Sequence, residues 1–280
     1  MSSVSVTRTR RPWLPIALMV LFLAYSLFPV WWLLVSSTKS LSDLYQTFGL
    51  SFAHWNLGSN VSQTLDYQNH IYLRWVWNSV VYSTLGAAGC TLISIAAGYG
   101  IAKFNFRGRG ALFAVTIGCS LLPGALLALP LYLLFSKIGL LNTYASLIVP
   151  YAVSALGTFL IRDAFLQVSD DIVDAARVDG AGTFTIIFRV MAPIARPTLV
   201  AFSLFSVVYH WNDFFWPLVM TTSEAVRTLP IGVAMLREEG TGDRWHVIMA
   251  GSMFVVAPVL AVFIVAQRHI IRAFTFTSLK

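Results

Sequence analysis

Six apolar stretches set the terms on which this chain can fold. They lie near residues 13–35, 76–102, 111–135, 144–161, 198–220 and 247–267, separated by shorter polar intervals. A helix needs about 20 apolar residues to cross the hydrocarbon core of a bilayer, and these runs have that scale. Inside lipid every backbone polar group must be satisfied within the protein, which a helix does within one segment. Composition agrees: 57% of the residues are hydrophobic and 11% charged, where a soluble domain carries about 25% charged residues. The expectation is an all-α membrane protein with a short tail at 1–12 and one six-helix bundle over 13–280. The first run is too long for a signal-peptide core and no small-residue cleavage pattern follows it, so it reads as an uncleaved first span.

Charge gives the topology. Of 19 lysines and arginines, 13 fall in the two tails, the loop after the second run and the loop 162–197, and 6 fall on the other side. The positive-inside rule places the first group, and with it both termini, in the cytoplasm. The net charge of +7 is strung between apolar runs and forms no contiguous patch, so topology and lipid headgroups explain it and no nucleic-acid partner is expected. Cys90 and Cys119 both fall inside apolar runs, which argues for packing rather than a disulfide.

The longest polar-studded interval on the cytoplasmic side is Ser169 to Pro197. Ser169 is a good N-cap, and Asp170 and Asp171 follow in the first turn, where negative charge complements the helix dipole. Ile172, Ala175, Ala176 and Asp179 then share one helical face. Gly180 supplies a left-handed stop, Thr183 can cap a second helix over 184–191, and Pro193 and Pro197 oppose simple continuation. The spacing predicts a small helical hairpin outside the bilayer. It is either an amphipathic element lying on the membrane or a docking element. In the second reading Ala175, Ala176 and Ala181 allow close approach, and Asp174 and Asp179 offer carboxylates to a basic partner.

Enzyme chemistry has no foothold. No G-x-x-x-x-G-K-[ST] loop and no G-x-S-x-G elbow occurs, and His54, His70, His210, His246 and His269 are scattered without metal-site spacing. Gly86/Gly89 and Gly108/Gly110 lack the context of a nucleotide fold and suit helix packing or turns. Within the fifth run, the sequence His210–Pro217 (HWNDFFWP) stands out. Asp213 there either faces a water-filled interior, as charge at membrane depth normally must, or sits at the interface among belt tryptophans. Pro123, Pro130, Pro150 and Pro258 mark either pathway-lining breaks or kinks accommodated by neighbours.

The hairpin residues also carry a resemblance. D-A-A-x-x-D-G-A, from Asp174 to Ala181, with Phe188, Pro193 and Pro197 beyond it, resembles the EAA motif of ABC importer permeases. F-P-V-W-W near Phe28, W-N-S at Trp77–Ser79, P-L-Y-L-L-F-x-K-x-G-L-x-N-T at Pro130–Thr143 and W-N-D-F-F-W-P-L at Trp211–Leu218 extend it over nearly the whole chain. They are similar to the second permease subunit of the carbohydrate-uptake class. The resemblance implies a six-helix permease with a cytoplasmic coupling hairpin in a bacterial plasma membrane. It implies four kinds of partner: a homologous first permease, a dimer of ATPase subunits holding ATP and magnesium, a solute-binding protein and the lipid bilayer. No cofactor is expected in this chain. Asp174, Ala175, Ala176, Asp179, Gly180 and Ala181 are the implied ATPase-coupling residues. Trp211, Asn212, Asp213 and Trp216 are candidates for the translocation path, and the outer segment 221–245 for contact with the solute-binding protein. The implied cargo is a sugar or oligosaccharide, with a glycerol phosphate as the alternative. An ion-coupled transporter using Asp213 and His210, or a scaffold with no path, are rivals of other classes. The motif's leading glutamate is replaced here by Asp174, one methylene shorter.

Overall fold

The structure, a computed structural model, describes residues 13–238 and 244–277, the stretch from 268 as helix backbone. The expected tail at 1–12, with Arg8, Arg10 and Arg11, lies outside the described residues, as does Lys280. Every regular element described is helical. Three helices are long and apolar enough to cross a membrane, and six spans result if each of three bent pairs counts as one. The chain divides into two compact units, Met1–Thr64 with Gly240–Met253, and Leu65–Glu239 with Phe254–Lys280.

The first unit contains α1 (Trp13–Ser37), α2 (Leu41–Gln46) and α3 (Leu57–Leu65). Nearly all of α1 is exposed and apolar, as a lipid-facing helix must be. The polar interval after it is folded, not loose. Lys39 is buried and donates to Thr47 Oγ1 at 2.9 Å and the Phe48 carbonyl at 2.7 Å. Asn60 donates to the carbonyls of Ser37 and Lys39, both at 2.8 Å. These bonds keep buried polar groups satisfied around the end of the span.

The second unit is built on α4 (Ile71–Lys103), which packs against two later helices, α8 (Ala155–Leu166) and α11 (Arg196–Trp211). Gly86 makes the α4–α11 crossing possible: a Cβ there would lie 2.7 Å from the His210 ring. That is the packing role expected of a small residue between membrane helices. The third apolar run is two helices, α5 (Arg109–Ser120) and α6 (Gly124–Lys137), bent by 93°. Pro123 sits at the break, since its ring and missing N–H oppose helix continuation. The fourth run is α7 (Tyr144–Tyr151), containing Pro150, followed by α8 after a 47° bend. Pro130 lies within α6 and Pro258 within α14 (Trp245–Thr277), both inside continuous helices. Of the four prolines, two therefore mark breaks and two are accommodated.

Between α8 and α11 come α9 (Asp170–Val178) and α10 (Thr183–Ile194). Gly182, not Thr183, holds the N-cap position of α10, and its centre is a π-helical turn over Ile186–Met191. An 89° bend at Ala195 separates α10 from α11. Pro193 lies near the end of α10, two residues beyond its π-helical turn.

The fifth run is also interrupted. α11 stops at Trp211 and a short helix, α12 (Phe215–Met220), follows after Asn212–Phe214. The segment beyond it differs from the solvated polar loop that its composition suggests. Leu229–Glu238 forms α13, with Leu229 and Ile231 fully buried and Gly232 against the face of Trp75. Residues 222–229 are fastened by side chains of α4. Asn78 donates to the carbonyls of Ala225 at 3.0 Å and Arg227 at 2.8 Å, Trp75 to Glu224 at 3.1 Å, and Ser79 Oγ accepts from Leu229 N–H at 2.8 Å. Tyr144 completes the set by donating to Asn78 Oδ1 at 2.5 Å. Asn142, held at φ +59°, accepts from the N–H groups of Thr222 and Ser223 at 2.7 and 2.8 Å. The part of this segment at 239–243 lies outside the described residues.

Candidate functional site: the α9–α10 hairpin and the α11 cavity

The hairpin begins as its sequence dictates. Ser169 Oγ accepts the Asp171 N–H at 3.3 Å, with Asp170 and Asp171 in the first turn. It ends on a complete Schellman pattern: Gly180 N–H to the Arg177 carbonyl at 3.0 Å and Ala181 N–H to the Ala176 carbonyl at 2.9 Å, with Gly180 at φ +80°. Left-handed backbone of this kind favours glycine.

Burial divides the hairpin into two faces. Val173 is buried and Ala176 and Ala181 pack behind it, on a core that includes Tyr99, Ile161, Phe165, Ile186 and Met191. The opposite face exposes Ile172, Ala175, Asp179, Val178 at 88% and Phe184 at 79%. Among the six residues singled out for docking, Asp174, Ala175, Asp179 and Gly180 are thus outward, while Ala176 and Ala181 are held mainly by the bundle. Ala176 lies at the edge of the face it shares with Ala175 and Asp179, half-buried against the bundle where those two are exposed. Asp174 is engaged within its own helix by Arg177, at 2.8 Å, with the two side chains 65% and 47% exposed.

One buried cation ties the hairpin to the bundle. Lys103, at the end of α4, keeps only 5% of its side chain exposed. Its Nζ donates to the Val168 carbonyl at 2.7 Å and to Asp170 Oδ1 at 2.6 Å. The Lys103 hydrogen bond, aided by its charge, holds the Asp170 carboxyl below the usual carboxylate range. Sequence reading assigned Lys103 to the topology count alone; its position 67 residues away from Asp170 left no local signal. A polar groove of about 640 Å³ runs beside α9, walled in part by Asn105, Arg109, Asp170, Asp174 and Arg177.

The second cluster is around α11 and α12. Trp211 is buried and donates to the Val255 carbonyl at 2.9 Å; Trp216 is buried and donates to Ser146 at 3.0 Å. Asp213 accepts from Tyr82 OH at 2.7 Å and from Trp216 N–H at 3.3 Å. These three residues hold helices together. Asn212 is exposed and bonds only its own helix, to Val208 at 2.9 Å. A cavity of about 410 Å³ opens one turn earlier, lined by Tyr151, Ser154, Phe202, Ser206, Tyr209 and His210 among others. Phe202, Ser206 and Tyr209 fall at i, i+4 and i+7 of α11, one stripe. That periodicity was present in the sequence, but the partner residues Tyr151 and Ser154 come from another span.

Comparison with known proteins places this architecture. Residues 89–275 match the family of binding-protein-dependent transport system inner membrane components. The chain belongs to that family. It is an ABC importer permease of the carbohydrate-uptake class. It is 32% identical, over 95% of both chains, to the arabinooligosaccharides transport system permease protein AraQ of Bacillus subtilis. It is 30% identical to the lactose transport system permease protein LacG of Rhizobium radiobacter, covering 88% of this chain and 89% of that one. In fold it is similar to a chain of a bacterial ABC transporter involved in the import of the acidic polysaccharide alginate. The TM-score there is 0.80 at 22% identity, covering 95% of this chain and 99% of the other. In permease terms, the hairpin and the α11 cavity are two separate sites, one polar and solvent-facing, the other within the spans.

Proposed function

We propose that this permease forms half of the path by which a sugar or oligosaccharide, delivered by a solute-binding protein, crosses a bacterial plasma membrane at the expense of ATP. The observation that carries the reading is the likeness to an arabinooligosaccharide permease along 95% of both chains. The α11 cavity supports it physically. Tyr151 and Tyr209 offer aromatic faces for sugar rings, and Ser154 and Ser206 offer hydroxyl partners. A relative from Brucella abortus, 29% identical over 73% of each chain, is an sn-glycerol-3-phosphate transport permease. The cavity lining contains no lysine or arginine, and a phosphate would call for such a cation, so the sugar reading is preferred.

Coupling belongs to the outward face of the hairpin: Asp174, Ala175, Asp179 and Gly180, joined by Ile172, Val178 and Phe184. This mixed apolar and acidic surface suits a groove on an ATPase subunit. ATP and magnesium would reside there, since this chain has no loop to cradle phosphates. The first permease would supply the other half of the path. The excess of positive charge on the hairpin side supports placing that side, and both termini, in the cytoplasm. A solved complex of an alginate ABC transporter with a pentasaccharide-bound periplasmic protein, similar in fold at a TM-score of 0.59, gives a precedent for a solute-binding partner.

The test is the ligand set of the solute-binding protein that co-purifies with this permease, measured by calorimetry against sugars and glycerol phosphates. Sugar binding is expected; selective binding of a glycerol phosphate would replace this reading by the alternative. In the same system Tyr209→Ala should lower uptake severalfold while ATPase recovery stays unchanged.

A further inference from the structure

A second feature lies at the end of α4 that faces the hairpin. An apolar cleft of about 520 Å³ is lined by Ala97, Gly100, Ile101, Phe104, Phe106 and Leu112, with Asn105 the one polar residue on its wall. Phe104, Phe106 and Leu112 stay 45%, 44% and 50% exposed, although each is an apolar side chain beside a polar turn. The floor is open at Gly100, where an added Cβ would meet nothing within 4 Å.

The stretch of chain that lines the cleft carries bases and no acid. No Asp or Glu occurs between Asp66 and Asp163. Lys103 is committed to Val168 and Asp170, and Arg109 to Phe104 and Asn105. Arg107, next to Phe106, is exposed and has no ion pair or side-chain hydrogen bond among the described residues. Immediately after it, Gly108 is the N-cap of α5 and provides no side-chain cap, so the start of that helix also presents positive potential. The cleft thus sets an acyl-sized apolar slot, whose wall includes Phe106, beside the next residue in the chain, the exposed Arg107, where a span meets a polar loop.

We propose that this cleft is a binding site for an anionic phospholipid of the surrounding bilayer, with an acyl chain between Gly100, Phe104, Phe106 and Leu112 and the phosphodiester at Arg107. Apolar burial supplies one half of the recognition and charge complementarity the other. A free phosphate would leave the apolar slot unused, and a neutral lipid would leave Arg107 unmatched. The proposal requires only that the chain lies in a bilayer, so its failure would leave the transport reading untouched.

The experiment uses the assembled importer in nanodiscs of phosphatidylcholine containing a trace of spin-labelled phosphatidylglycerol or spin-labelled phosphatidylcholine. The motionally restricted fraction of each is read by electron paramagnetic resonance. The wild type should restrict phosphatidylglycerol in preference to phosphatidylcholine. Arg107→Gln should reduce that preference roughly fivefold, the worth of one arginine at an anionic surface. Gly100→Leu fills the slot with a better helix former and should abolish the preference. Gly118→Leu, also open to space, should leave it intact. Three results would overturn the site: equal restriction of the two lipids by wild type, a preference that survives Gly100→Leu, or a preference seen in the isolated chain and absent from the assembled importer. The last outcome would assign the cleft to a protein partner.

Discussion

Asp174 stands where the resembling motif has glutamate, and its surroundings suggest what the shorter side chain does. It reaches Arg177 at 2.8 Å, one turn along the same exposed face. Exposed pairs of this kind are worth well under about 1 kcal/mol. Asp174→Ala should therefore leave thermal stability almost unchanged, whereas Asp174→Lys, which places like charges three residues apart and reverses the face, should reduce ATPase co-purification. Unchanged ATPase recovery in Asp174→Lys would remove this carboxylate from the docking surface. Lys103 is the opposite case. Its nearly buried ammonium holds both a carbonyl and Asp170, so Lys103→Met should loosen the start of α9 and raise its amide exchange, while Lys103→Arg should restore part of the protection. The Asp170 carboxyl is depressed by that contact. The stabilisation is therefore fully present above the ordinary carboxylate pKa, about 4, and is lost as pH falls through the lowered folded value. Protection of the α9 amides, taken relative to the intrinsic exchange rate at each pH, should fall in acid in the wild type and stay flat with pH in Lys103→Met.

At the scale of elements, the two hairpin helices and the segment 222–229 show two ways of fixing backbone. The hairpin is fixed locally, by a serine cap and a Schellman stop at Gly180. Gly180→Val should strain the turn, at φ +80°, by about 1–3 kcal/mol and uncouple ATP hydrolysis from uptake, with Gly180→Ala strained too but milder because alanine lacks the β-branch. Equal coupling in wild type and Gly180→Val would contradict this. The 222–229 segment is fixed at long range. Asn78→Ala removes the donor to two carbonyls and should lower unfolding stability in detergent by about 1–3 kcal/mol. These two elements also explain what could be read in advance. Caps and left-handed glycines are local, so the hairpin's start and its stop were visible in the residues themselves. The 93° break at Pro123 was only half visible, because Pro130 and Pro258 look the same in sequence yet stay inside helices. The fastening of 222–229 by Trp75, Asn78 and Ser79, across about 150 residues, had no local signature. The tryptophans and Asp213 of the W-N-D-F-F-W-P-L stretch drew attention as path residues. Their bonds to Tyr82, Ser146 and Val255 tie them to neighbouring spans, and a cavity opens one turn away at Tyr209.

At the scale of the whole molecule, an importer permease needs a driving force for transport. Two sources are physically open: ATP hydrolysed by a docked partner and transmitted through the hairpin, or an ion gradient acting on groups such as Asp213 and His210. The hairpin is packed on the same core as α4, α8 and α11, so a force on its outer face can move the helices that line the cavity. Asp213, by contrast, is occupied by Tyr82 and the Trp216 N–H, an arrangement suited to holding a fixed geometry. The most direct measurement is uptake of a labelled oligosaccharide into proteoliposomes containing this permease, its homologous partner and the ATPase, with the solute-binding protein outside and ATP enclosed. Uptake should require both ATP and the binding protein and persist when an ionophore collapses ion gradients. Uptake that proceeds without ATP and disappears with the ionophore would contradict the importer mechanism.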